Sequence, residues 1–123
     1  DKVARSLKLT EVIKDVGALK KSVEHNGVTL NTPSLDIEEC CAVSALECFR
    51  TMVLNLTARE KKFQQKVFRN LRSPLILESV DACSQKEREK TVCQICNSYP
   101  MKDSRAFLQQ LESLLQKAMN RLV

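Results

Sequence analysis

All six cysteines fall between positions 40 and 96, at Cys40, Cys41, Cys48, Cys83, Cys93 and Cys96. An even number of cysteines in so short a chain favours an oxidising compartment and a disulfide framework. Cys41 and Cys48 are seven residues apart. On a helix that is two turns, so both thiols point the same way, about 10 Å apart along the axis. Cys93 and Cys96 span about 10 Å if their segment is extended. The two spacings match for a ladder of Cys41–Cys93 and Cys48–Cys96. Geometry alone leaves the crossed pairing open, since six cysteines allow many connectivities. Cys40 and Cys83 remain over for a third bridge.

Two other uses of Cys93-Gln94-Ile95-Cys96 carry less weight. A zinc site wants four ligands, commonly two close pairs. Here the other pair is seven apart and the one histidine, His25, is distant, so neither a metal nor another cofactor is expected. A redox motif needs a strand-to-helix context, which is missing.

The 123 residues suffice for one domain over 1–123. Two Gly, three Pro and no Trp leave a core of Leu, Val, Ile, Met and Ala, which suits packed helices better than a β-sandwich. No apolar run is long enough to span a membrane. The start at Asp1, in a charged stretch, reads as that of a mature, processed chain. Asn55-Leu56-Thr57 is a glycosylation sequon. A net charge of +5 suits acidic or sulfated partners, such as an acidic receptor face or a glycosaminoglycan. Nucleic acid is not expected, because no aromatic stacking platform or nucleic-acid motif accompanies the charge.

Periodicity predicts four helices. The first covers about 3–24, with Val12, Val16, Leu19 and Val23 on one face, and His25-Asn26-Gly27 ends it. The second begins after Thr32-Pro33-Ser34, where Asp36 and Glu39 resemble a capping box. The third covers about 58–72, with Phe63, Val67 and Leu71 spaced by four, and Pro74 stops it. The fourth opens at Asp103-Ser104 and carries a wide stripe of Phe107, Leu108, Leu111, Leu114, Leu115, Ala118 and Leu122. Helices two and three are joined closely, so they are antiparallel neighbours. The connection over 73–102 is long enough to travel the length of a bundle. With the connection of about ten residues between the first two helices as the other crossing, it predicts an all-α, up-up-down-down bundle. Residues 84–91 are polar and charged, hence solvated or partly disordered.

Three segments resemble a known family. Cys41-Ala42-Val43-Ser44-Ala45-Leu46-Glu47-Cys48-Phe49 looks like the second-helix motif of interleukins-15 and -21. Cys93-Gln94-Ile95-Cys96-Asn97-Ser98-Tyr99 resembles the Cys-x-x-Cys-Asp-Ser-Tyr of the interleukin-21 branch. Phe107-Leu108 with Leu114-Leu115-Gln116-Lys117 resembles that branch's last helix. The chain thus resembles the interleukin-2, -15 and -21 family of short-chain four-helix cytokines, closest to interleukin-21, over about 7–122. Cys40 and Cys83 depart from that pattern, as a divergent vertebrate branch, for instance in fish, with an added bridge would. The departure and Asp15 leave interleukin-15-like and interleukin-2-like assignments open.

The resemblance implies a secreted, monomeric cytokine with the ladder pairing. Such a cytokine binds a private type I receptor chain and a shared γ chain to signal in lymphocytes. Val12-Ile13-Lys14-Asp15 resembles a first-helix segment whose Asp contacts a β-type receptor chain, which implies contacts from Lys8, Glu11, Ile13 and Asp15. The bland reading of Asp15 is a solvated carboxylate. Arg59, Lys62, Lys66 and Arg69 share a face of the third helix. That face is either merely solvated or, by the resemblance, meets an acidic private receptor. Gln116 and Met119 stand where the family touches its γ chain, although Met119 also fits the core stripe. An enzyme is the poorest reading, for no catalytic triad, phosphate loop or metal cluster is available. The rival from another class is a saposin-like secreted lipid-binding protein, but such domains place cysteines near both ends of a shorter chain.

Overall fold

Helix α1 covers Lys2–Ser22 in the computed structural model, which describes residues 1–123. Leu9, Val12, Val16 and Leu19 recur along it and are fully buried. Asp1 caps its start by accepting from the Ala4 N–H at 2.8 Å. The helix ends at Ser22, short of His25-Asn26-Gly27, because Val23 turns extended and forms an antiparallel β-bridge with Ala58. Gly27, at φ 86°, then supplies the left-handed residue that reverses the chain.

Strand β1 covers Thr29–Asn31, and a 3-10 turn over Glu39–Cys41 leads into α2, Ala42–Val53. The expected capping box at Asp36 is not formed. Asp36 donates its own N–H to Ser34 Oγ at 3.1 Å. Glu38 remains extended, at φ −63° and ψ 146°, so the helix cannot begin there.

Helix α3 covers Lys61–Asn70, and α4 covers Pro74–Val80. Pro74 does end the preceding helix, but it also opens the next one from its first turn, where its missing N–H costs nothing. Ile76 and Val80 join the core, so the third rod of the bundle is α3 followed by α4. Helix α5, Gln85–Lys90, occupies the polar stretch that was expected to be solvated or partly disordered. It is ordered but exposed throughout. Ser84 accepts from the Glu87 N–H at 3.2 Å, and Arg88 holds both oxygens of Asp81 at 3.0 and 2.8 Å. Strand β2, Met101–Asp103, pairs antiparallel with β1, Leu30 opposite Lys102, so the two long crossings meet. Helix α6 covers Ser104–Leu122, and Asp103 caps it through the Ala106 N–H at 2.9 Å.

Contacts at the bundle ends fix the topology. The Glu24 N–H donates to Thr57 O at 2.7 Å, and His25 Nδ1 touches Ser104 Oγ. The ends of α1 and α2 therefore lie with the starts of α3 and α6. At the opposite end Arg121 donates to Ser79 O at 2.9 Å and Val80 O at 3.1 Å, satisfying carbonyls left over where α4 stops. The fold is an up-up-down-down, all-α bundle. Phe49 and Phe107 pack at its centre, ring centroids 5.3 Å apart. Gln64 is buried between α2 and α3, donating to Val53 O at 2.8 Å and Leu56 O at 2.9 Å.

Three disulfides tie the long crossing to α2 and the turn before it. They join Cys40 to Cys83, Cys41 to Cys93 and Cys48 to Cys96, with Cα separations of 4.8, 5.5 and 5.2 Å. Adjacent Cys40 and Cys41 thus hold the two ends of the segment that carries α5.

Candidate receptor-binding faces

The first face is the seam between α1 and α3. Asp15 lies on the side of α1 turned towards α3 and is buried, its side chain only 10% exposed. Its neighbour across the seam is Lys66, whose Nζ is 3.7 Å from Asp15 Oδ1 and whose side chain stays 45% exposed. Asp15 Oδ2 is buried without a hydrogen-bond partner. Asp15 is therefore not the solvated carboxylate of the bland reading. Ile13 is half-buried and packs on the core. Lys8 pairs with Glu11 at 3.5 Å one helical turn further along. On α3, Lys62 pairs with exposed Glu60 at 3.5 Å and lies 5.1 Å from the Phe63 ring centroid. Arg69 is exposed. The seam thus carries a buried anion under one partly exposed cation, Lys66, with Lys62 and Arg69 exposed elsewhere on α3.

A second latch holds the back of α3. Arg50 on α2 lies 4.0 Å from the Phe68 ring centroid and donates to Phe68 O at 3.2 Å. Nothing in the spacing of the sequence marks this pair.

The second face lies where the end of α6 meets the start of α1. Gln116 is exposed and donates to Asn120 Oδ1 at 3.2 Å. Met119 is half-buried against the core, and its sulfur accepts from Ser6 Oγ at 3.6 Å. Beside it Val3 and Leu7 are each 68% exposed. With Leu122 they line an open groove of about 270 Å³. The sequence alone does not single out Val3 and Leu7. Their spacing of four was the available signal, but it precedes the core stripe that begins at Leu9. Exposed apolar side chains grouped beside an adaptable Met are the usual makings of a protein-binding surface.

Asn55 is exposed on the turn between α2 and α3, and Thr57 of the same sequon accepts from Asn26 Nδ2 at 3.2 Å. No group of His, Cys, Asp and Glu side chains is arranged to hold a metal. No helix is long and apolar enough to cross a membrane.

A disulfide-tied up-up-down-down bundle with a charged seam on one side and an apolar strip on another has the architecture of a helical cytokine. The model of the Interleukin 15 family matches residues 2–120. The chain belongs to that family, a cytokine of the interleukin-2 and -15 type, whose members are secreted signalling ligands rather than enzymes.

Proposed function

We propose that the chain is a secreted, monomeric cytokine of interleukin-21-like specificity that bridges a private type I receptor chain and the shared γ chain to trigger signalling in lymphocytes. The carrying observation is the separation of two faces: the Asp15–Lys66 seam between α1 and α3, and the Gln116–Met119 strip beside Val3 and Leu7. A ligand that brings two receptor chains together needs two such surfaces. The private receptor docks on the seam, with Lys62, Lys66 and Arg69 steering an acidic surface and Lys8, Glu11 and Ile13 at its edge. The γ chain docks on the strip, where Gln116 hydrogen-bonds receptor backbone and Met119 fits a re-used surface. A glycan on Asn55, at the bundle end, leaves both faces open.

Interleukin-21-like specificity is supported by Cys93-Gln94-Ile95-Cys96 with Ser98-Tyr99 and by Leu114-Leu115-Gln116-Lys117. One observation favours a second reading, of interleukin-15-like or interleukin-2-like specificity. Asp15 sits between α1 and α3, where the resemblance puts a β-type receptor contact. Surface binding to a panel of receptor ectodomains of this family separates the two. The proposal expects the interleukin-21-type private chain and the γ chain to bind. Binding of a β-type chain instead overturns the specificity, and binding of none overturns the receptor reading. Family membership displaces the saposin-like alternative.

A further inference from the structure

The positive charge of the chain is unevenly placed. Where α1 stops and α6 starts, Lys21, Arg59, Lys61 and Arg105 are exposed and belong to none of the ion pairs. Most acids at this end are already engaged. Glu60 is taken by Lys62 at 3.5 Å and Glu112 by Lys20 at 3.2 Å. Asp103 is committed to the Ala106 N–H. Only Glu24 is free. The opposite end is mixed, with Asp36, Glu38, Glu39 and Glu89 exposed outside any ion pair alongside Lys86, Lys90 and Lys117.

The cations are brought together by backbone contacts. The Arg59 N–H donates to Ser22 O at 2.9 Å, which sets Arg59 beside Lys21. The contact of His25 with Ser104 sets His25 beside Arg105. Between α1 and α6 an open depression of about 480 Å³ is lined by Lys20, His25, Arg105 and Gln109, with Ala106 and Leu108 as its floor. Ser104 Oγ occupies Nδ1, so Nε2 is the ring nitrogen that exposed His25 keeps for a ligand.

We infer that this end of the bundle binds a sulfated glycosaminoglycan. Arg105, His25 and Gln109 seat one sulfate in the depression, and Lys21, Arg59 and Lys61 carry the chain towards α3. The partner is a polysaccharide rather than a nucleic acid on two grounds. No Phe, Tyr or Trp lines the depression, so the run of stacking rings that holds successive bases is missing. The three disulfides suit a compartment where sulfated polysaccharides, not nucleic acids, are the abundant polyanions. The site lies off the Gln116 strip and beyond the Asp15–Lys66 seam, so polysaccharide and receptors can be held together.

Two double variants of the oxidised full chain test this, each with the same change in net charge. Lys21→Glu/Arg105→Glu reverses the proposed end, and Lys86→Glu/Lys90→Glu reverses exposed α5 at the other. The first should weaken affinity for immobilised heparin about tenfold or more at physiological salt, the second by less than about twofold. Soluble heparin should displace the parent, whereas desulfated heparin and single-stranded DNA should not. Equal losses for the two variants, or displacement by DNA as readily as by heparin, would overturn the site. The readout uses no receptor, so it is independent of the receptor proposal.

Discussion

Lys66 Nζ stands 3.7 Å from Asp15 Oδ1 across the α1–α3 seam, while Asp15 Oδ2 is buried with no partner. The pair does little for stability. An exposed lysine at that range contributes at most about 1 kcal/mol, reduced further by solvent screening. A carboxylate oxygen left buried and unpaired is costly. The seam therefore holds a polar group that folding alone does not explain, as binding sites often do.

Replacing Asp15 by Leu separates stability from binding. Chemical denaturation should show the variant to be as stable as the parent or more so, by up to about 1–2 kcal/mol. Private-receptor affinity should fall about tenfold or more, about 1.4 kcal/mol. A variant that loses stability and keeps its affinity would make Asp15 a structural residue.

The cations of the same seam act on encounter. Lys62→Glu/Arg69→Glu should slow association with the private receptor about tenfold at low salt and leave dissociation nearly unchanged. The parent's association rate should fall as salt rises. Stopped-flow or surface-binding kinetics measure both, and salt-independent association would leave the face merely solvated.

Gln64 tests the joint between α2 and α3. Its amide donates to Val53 O and Leu56 O at the end of α2. Gln64→Leu keeps the apolar contacts but strands those carbonyls, so it should cost about 1–3 kcal/mol in urea unfolding. A neutral result would mean that water replaces the amide.

The third bridge should matter less than the other two. Each bridge closes a loop of 43 to 52 residues, for which chain entropy credits about 4 kcal/mol. With Cys41–Cys93 intact, however, Cys40–Cys83 closes only the roughly ten residues between Cys83 and Cys93, and Cys48–Cys96 only the roughly ten of 41–48 and 93–96 together, so each adds about 3 kcal/mol. What separates the two is burial: Cys48 is 3% exposed whereas Cys40 and Cys83 are half-buried, and a serine hydroxyl left dry is costly, so Cys40→Ser/Cys83→Ser should fold and unfold at a higher urea concentration than Cys48→Ser/Cys96→Ser. The reverse order would contradict this account.

The bundle was legible because its signals are local and repeated. The stripe from Phe107 to Ala118 and the period of Val12, Val16 and Leu19 both match buried faces. What escaped depends on contacts between distant segments. The Val23–Ala58 bridge shortened α1. The extended backbone at Glu38, next to two bridged cysteines, delayed α2. Pro74 marked a boundary correctly, but Ile76 and Val80 beyond it had no period long enough to announce α4. Of the site, Asp15 is marked in the sequence by the resemblance of Val12-Ile13-Lys14-Asp15 to a receptor-contacting segment, but its burial under Lys66 is not. Nothing local marks Val3 and Leu7, because exposure is a property of the whole fold.

The central claim is that two separate faces bring two receptor chains together, and Gln116→Asp tests it most directly. Gln116 is exposed and bonded only to Asn120, so folding should be unaffected, with far-UV circular dichroism unchanged. A carboxylate there is costly to bury against a receptor. Binding to the γ chain should weaken about tenfold or more, about 1.4 kcal/mol, while private-receptor affinity stays as in the parent. Cells bearing both receptors should then show occupancy without full signalling, so that the variant antagonises the parent. A Gln116→Asp protein that binds the γ chain and signals like the parent would contradict the account.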